Sequence, residues 1–239
     1  MNRHSSSGAG TAQAAPPKRA RILDAAVQVF AEKGFYNSKV SEIAHVAGVA
    51  DGTIYLYFKS KDDLLISLFE DRMAEVNATV RAALASTDEP VGRLRAVVER
   101  HLALIAQHPA VAEVLTVELR QSSKFMKEYS GGPAFGEFLK LIASAVEDGQ
   151  HAGVMREGLD PATVARALFG ALDELALTWL LRRRSRKAAS RGTGAASAAK
   201  EAGADASELA RAADQLATLF LDGLRRPAPS SQHSQRRSS

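Results

Sequence analysis

The stretch Val40-Ser-Glu-Ile-Ala-His-Val-Ala-Gly-Val-Ala-Asp-Gly-Thr-Ile-Tyr-Leu-Tyr57 decides the fold. It reads as two short crossed helices. Ala44 is the small residue at which a second helix can cross closely. Gly48 supplies a turn position open to positive φ, and Ile43, Ala47, Val49 and Ile54 are spaced to lock the pair. Any tight helical hairpin satisfies that much. A hairpin serving only folding has no need of Thr53, Tyr55 and Tyr57 turned outward from its second helix.

Outward from this pair the apolar residues recur at intervals of three and four in nearly every long segment, and period-two alternation is almost missing, so the chain is expected to be all-α. A first helix is predicted over Lys18 to Lys33, with Ile22, Leu23, Ala26, Val27 and Phe30 on one face and Gly34 as the left-handed residue that ends it. Ser38 is expected to cap the second helix, and the third starts near Asp51. Ser60 with Asp63 forms a capping-box signature for a long fourth helix, whose stripe Leu65, Leu68, Phe69, Met73, Val76, Val80 and Leu84 closes before Asp88-Glu89-Pro90. Further helices are predicted over Val91 to Gln107, Pro109 to Gln121, Ala134 to Ala152, Pro161 to Arg184 and Ala206 to Leu224, with Pro109 and Pro161 in first turns. The organisation expected is a disordered tail over 1–17, a three-helix head over 18–61 built around the crossed pair, a helical body over 62–226, and a second disordered tail over 227–239. Within the body, the Arg-, Lys-, Ala-, Ser- and Gly-rich segment 185–205 reads as a flexible insertion whose basic cluster keeps it extended.

Charge divides along the chain. Residues 1–61 hold eight Lys/Arg against four Asp/Glu, residues 62–181 eleven against eighteen, and residues 182–239 twelve against five, so the net +4 conceals an acidic middle between basic ends. A basic head on an acidic body suits a local grip on a polyanion, because counterion release rewards only the face that meets phosphate. With no cysteine among 239 residues there is no disulfide, thiolate metal site or thiol nucleophile. The six histidines never take metal-ligand spacing, and no serine sits in a nucleophile elbow, which argues against an enzyme and against a metal or other cofactor. No apolar run approaches the roughly 18 residues that cross a bilayer. A cytoplasmic protein without a membrane partner is the expectation.

The blocks Phe30-Ala-Glu-Lys-Gly-Phe, Val40-Ser-Glu-Ile-Ala-His-Val-Ala-Gly-Val and Gly52-Thr-Ile-Tyr-Leu-Tyr-Phe-Lys-Ser-Lys-Asp-Asp-Leu-Leu resemble the DNA-binding domain of TetR-family regulators, continuously from about Ile22 to Phe69. The resemblance implies that the helix beginning at Asp51 and Gly52 enters the major groove. Thr53 and Tyr55 then approach base edges or adjoining phosphates, Tyr57, Lys59 and Lys61 hold the backbone, and Ser38 and Lys39 add phosphate contacts. Lys61→Ala is therefore expected to flatten the salt dependence of DNA binding. The family often has serine just before this helix; here Ala50 and Asp51 stand instead, and Asp51 is expected either to cap the helix or to accept from a cytosine amino group.

The blocks Leu65-Ile-Ser-Leu-Phe, Glu118-Leu-Arg-Gln-Ser and Phe169-Gly-Ala-Leu-Asp-Glu-Leu-Ala-Leu-Thr-Trp are similar to the acyl-CoA-responsive FadR-type repressors of fatty-acid degradation within that family. That resemblance implies a repressor released from a palindromic operator by long-chain acyl-CoA. Leu104, Ile105, Leu115, Leu119, Phe138, Ile142, Phe169 and Trp179 are candidate tunnel residues, and Arg120, Lys124 and Lys127 candidate cations for the phosphates. Most of these apolar residues also suit a plain core. The last two helices resemble a four-helix homodimer bundle, with Leu168, Leu172, Leu175 and Trp179 opposite Leu216, Leu219 and Phe220. A repressor sensing a drug or secondary metabolite, and a helical lipid carrier, remain alternatives.

Overall fold

The computed structural model describes residues 17–128, 132–189 and 195–226; the expected tails at 1–16 and 227–239 lie outside them. Ten α-helices are described: α1 (Lys18–Lys33), α2 (Val40–Ala47), α3 (Asp51–Tyr57), α4 (Lys61–Leu84), α5 (Pro90–Gln107), α6 (Pro109–Glu113), α7 (Ser123–Glu128), α8 (Pro133–His151), α9 (Pro161–Ala189) and α10 (Ala195–Leu224). No helix among the described residues is long and apolar enough to cross a membrane. Helices α1 to α3 form a head whose core is Ile22, Ala26, Phe30, Ile43, Ala44 and Ile54, all essentially inaccessible. Burying each large side chain of that set stabilises the head by about 1.5–3 kcal/mol. The head rests on α4, which packs in turn on α5 and α8, while α5 lies along α10 and α8 along α9.

Local chemistry accounts for the joints. Ser60 Oγ accepts the Asp63 N–H at 3.1 Å, so Ser60 caps α4 as the sequence predicts; the return bond of the expected box is shifted by one residue, Asp63 Oδ2 accepting the Lys59 N–H at 2.8 Å instead of that of Ser60. Gly48, at φ 64° and ψ 42°, closes α2 in the left-handed region, and Arg21 Nη2 donates to the Ala47 and Gly48 carbonyls at 2.5 and 3.1 Å. Gly34 also has positive φ, but at φ 80° and ψ 157° it occupies the extended mirror region, open essentially to glycine alone, rather than the left-handed helical one expected.

Three expectations are corrected. Ser38 does not cap α2: it is buried, its hydroxyl donates to the Phe35 carbonyl at 2.8 Å, and Glu42 instead accepts the Lys39 N–H at 2.9 Å. The helix expected over Pro109 to Gln121 is present with those bounds but is not α-helical throughout: it passes without interruption from α6 through a π-helical turn over Val114–Glu118 into a 3-10 turn over Leu119–Gln121. The segment expected as a flexible insertion is helical where it is described, because α9 runs on to Ala189 and α10 starts at Ala195. It is also tied down. Trp179 Nε1 donates to the Asp205 carbonyl at 3.0 Å, the Asp205 carboxylate meets Arg183 and Arg186, Arg182 pairs with Glu208, and Arg184 reaches Glu113 on α6. The basic cluster therefore neutralises neighbouring helices instead of repelling itself.

Candidate nucleic-acid interface and effector cavity

The head's outer face carries a groove of about 570 Å³ between α2, α3 and the start of α4, lined by Lys39, Ser41, Asp51, Tyr55, Lys59 and Lys61 among others. Ile54 turns inward and anchors α3. Tyr55, Leu56 and Tyr57 stand out at 58%, 82% and 44% exposure, while Thr53 is half-buried beside them. Gly52 is exposed and, apart from its chain neighbours and its own helix backbone, no described residue lies within 4 Å of where its Cβ would stand, so no packing among the described residues requires a glycine there. Lys39 and Lys59 are exposed at the groove's edges.

Three of the candidate contacts differ from expectation. Ser38 lines the groove, but its hydroxyl hydrogen is committed to Phe35 and the residue is only 4% exposed. Asp51 makes no cap, because the N-cap position falls on Ala50, and its carboxylate stands exposed at the groove, so of its two expected roles only that of acceptor at the groove stays open. Lys61 is the third. Its ammonium donates to the carbonyls of Phe35, Tyr36 and Ser38 at 2.6, 3.2 and 3.1 Å and sits 4.6 Å from the centre of the Phe35 ring. Three donors on three carbonyls leave none for phosphate. Lys61→Ala should thus cost about 2 kcal/mol of stability by leaving a turn's carbonyls unpaired. The salt dependence of DNA binding should stay as it was, and a slope lowered by about one unit in filter binding across a salt series would return Lys61 to the phosphate contacts.

Leu56 is a surface residue that the motif alone does not single out. The signal was present: it lies two residues, about 200° of helix, from the buried Ile54 and so must face outward. An exposed leucine is an apolar side chain of the kind that packs on the methyl group of thymine.

The second feature is a cavity of about 680 Å³ beneath the head. Its walls come from α1 (Val27), α4 (Phe69, Met73, Val76), α5 (Leu104, Ile105), the α6 region (Val111, Leu115) and α8 and α9 (Phe135, Phe169). Polar groups Asp24, Gln28, Arg72 and Glu75 stand together where α1 meets α4. Arg72 pairs there with Asp24 and, at 2.6 Å, with Glu75. Of the candidate tunnel residues, Leu104, Ile105, Leu115 and Phe169 line this space. Leu119, Phe138, Ile142 and Trp179 do not; each is buried in the packing between helices, as core residues of the same apolar stripes. Lys124 is exposed on the short α7, outside the wall. Arg120 reaches back to the Thr116 carbonyl and to Asp173, so it fastens the wall and is not a free cation. Burial raises the Asp173 carboxyl above its ordinary range, against the opposing pull of Arg120.

One short segment joins the two features. Leu115 and Thr116 of the π-turn line the cavity. A few residues on, the buried Glu118 carboxylate accepts the Phe35 N–H at 2.7 Å, the Gln121 carbonyl accepts the Tyr36 hydroxyl at 2.6 Å, and Ser122 donates to Asp62 at 2.7 Å. Nothing in the residue types of 114–122 announces this; it follows from partners more than 50 residues away.

Comparison with known proteins bears on both features. A family model described as bacterial regulatory proteins of the tetR family matches residues 22–68, and one described as the C-terminal region of YsiA-like proteins matches residues 69–187. The fatty acid metabolism regulator protein of Bacillus subtilis (strain 168) is 38% identical over 165 residues, which make up 69% of this chain and 84% of that one. The crystal structure of the transcriptional regulator FadR from Bacillus subtilis in complex with stearoyl-CoA superposes with a TM-score of 0.71 at 31% identity, covering 85% of this chain and 98% of that one. The fatty acid degradation regulator FadR from Bacillus halodurans gives 0.70 at 30% identity, over 90% of this chain and all of that one. With a crossed-helix head on an all-helical body, and matches running without interruption from residue 22 to residue 187, the chain belongs to the TetR family of bacterial regulatory proteins.

Proposed function

We propose that this protein is a homodimeric repressor of fatty-acid metabolism genes that leaves a palindromic operator when a long-chain acyl-CoA fills its cavity. The observation that carries this reading is the cavity's position. Its wall includes α1 of the head as well as α4, α5, α8 and α9 of the body, so an occupant touches the junction that sets the head's orientation. A volume of about 680 Å³ lies within the range of small-molecule pockets, and the predominantly apolar wall suits an alkyl chain. The stearoyl-CoA held by the Bacillus subtilis relative supports the same ligand class here. Tyr55, Leu56 and Tyr57 on α3 are the base-reading candidates, with Thr53 and Gly52 at its first turn and Lys39 and Lys59 beside the phosphates.

The mechanism is a shift between two arrangements of head and body. In the ligand-free dimer, two α3 helices sit at the spacing of successive major grooves, roughly 34 to 36 Å or a multiple. Filling the cavity pushes on α4 and on the π-turn beside Thr116. An anionic headgroup at the rim competes with Asp24 for Arg72, which is one of the ties between α1 and α4. Head spacing changes and operator affinity falls.

Linkage requires reciprocity. Hexadecanoyl-CoA should lower operator affinity by a factor of about 5 to 150, and saturating operator should lower hexadecanoyl-CoA affinity by the same factor. Mobility shift with an acyl-CoA series, followed by calorimetry with and without operator, measures both halves. Identical ligand affinities in the two calorimetric titrations would end this mechanism. Release by cationic drugs instead, with no response to any acyl-CoA, would make the protein a sensor of another apolar molecule.

A further inference from the structure

Two side chains of the cavity wall, Arg72 and His101, hold buried nitrogen atoms without a hydrogen-bond partner among the described residues. Arg72 has its remaining nitrogens on Asp24 and Glu75. His101 is different. Its Nδ1 is buried beyond the reach of an occupant, whereas Nε2, also without a hydrogen bond to a described residue, is not among the buried atoms and is the nitrogen open to the cavity. It lies instead among aromatic neighbours: the Phe138 ring stands 5.6 Å away, and Phe138 and Phe135 both pack edge-on against Phe169. Phenylalanine at 101 would reproduce that packing without stranding a polar atom, so packing alone gives no reason for an imidazole. Polar groups cut off from water are nearly always hydrogen-bonded in the working state of a protein, and an occupant of the cavity would cut Nε2 off from water on the surface that it meets.

We infer that His101 hydrogen-bonds the uncharged carbonyl oxygen of the effector's thioester, so that the cavity distinguishes an acyl thioester from a chain of equal length lacking that oxygen. The inference rests on the acyl-CoA reading above and adds to it the group recognised. Burial holds the imidazole neutral by lowering its pKa to about 4. A neutral ring donates from one nitrogen only, and Nε2 is the one that an occupant reaches. Its natural acceptor in an apolar wall is a neutral carbonyl, since a carboxylate there would lose its hydration with no cation to offset the loss. The discrimination has a physical basis: a site built to bond a polar group rejects the analogue without it, because its own polar atom then stays unpaired.

The test compares hexadecanoyl-CoA with S-hexadecyl-CoA, the thioether that lacks the carbonyl, by calorimetry on the full-length wild type and on H101F and H101Q. Wild type should bind the thioester about tenfold more tightly than the thioether. H101F should bind the two equally, and H101Q, whose amide restores a donor, should recover part of the preference. Equal wild-type affinities for the two ligands, or a preference that survives in H101F, overturns the assignment while leaving the acyl-CoA reading intact. A wild type that binds neither ligand overturns both. The wild-type comparison decides the matter even where H101F folds poorly.

Discussion

Leu219→Asp is expected to turn the protein into a monomer and to lower operator affinity about a thousandfold, with its fold unchanged. Leu219 is 73% exposed on α10 and Leu181 48% exposed on α9, two helices that pack on one another and end the body. A leucine that exposed contributes almost nothing to the stability of a single subunit, and substitutions at such positions usually stay within about 0.5 kcal/mol. In a two-fold dimer built on α9 and α10 it contributes twice, because an isologous interface uses the same patch from both subunits. Each leucine withdrawn from water is worth about 1.5–3 kcal/mol, and the substitution also buries two carboxylates that repel one another. A total near 4 kcal/mol corresponds to about a thousandfold in association. Operator affinity follows, since a lone head reaches only one half-site. Sedimentation velocity reads the oligomeric state, circular dichroism the fold, and mobility shift the affinity. A Leu219→Asp protein that sediments as a dimer would move the interface away from these two helices.

The fold was legible where local chemistry decides it. Pro109 and Pro161 stand in the first turns of α6 and α9, the Ser60 hydroxyl caps α4, and Gly48 closes α2 in the left-handed region. What the sequence hid came from partners distant along the chain. Lys61 looks like a phosphate ligand until its ammonium is found on the carbonyls of residues 35, 36 and 38, a turn that only the folded head brings to it. The change of winding in the helix after Pro109 has the same origin, because the π-turn delivers Glu118 to the Phe35 N–H. Segment 185–205 misled for another reason. Its low complexity resembles a linker, yet Ala, Arg and Lys are strong helix formers, and the bond from Trp179 to the Asp205 carbonyl fixes the hairpin. For the cavity, stripe periodicity separates buried from exposed residues but cannot separate core from wall. Leu104 and Phe138 both read as buried positions, and only the packing makes the first a wall and the second a core residue.

Glu118→Ala should separate ligand binding from DNA release. Glu118 is 2% exposed, and its carboxylate bonds the Phe35 N–H while resting against Gly34; a Cβ at Gly34 would stand 3.3 Å from Oε2. It thereby joins the π-turn, whose Leu115 and Thr116 line the cavity, to the turn between α1 and α2 that carries the head's outer face. Removing the carboxylate leaves a buried N–H unpaired, which costs about 1–3 kcal/mol of stability. The functional loss is expected to be larger. The cavity wall keeps its apolar side chains, so hexadecanoyl-CoA should bind with near wild-type affinity, whereas the release factor of about 5 to 150 should fall, because the buried tie from the π-turn to the α1–α2 turn is gone and only the exposed Tyr36–Gln121 bond is left between that segment and the turn. Operator affinity without ligand should drop as well, since the head is no longer held at one orientation. Glu118→Gln keeps an acceptor oxygen for Phe35 and should retain most of the coupling, which separates loss of the bond from general damage to the segment. Paired measurements of ligand affinity and of operator affinity with and without hexadecanoyl-CoA give the factor directly. If Glu118→Ala releases operator as fully as wild type, coupling runs instead through α4 and the Asp24–Arg72 pair, and Asp24→Asn becomes the variant in which release should fail.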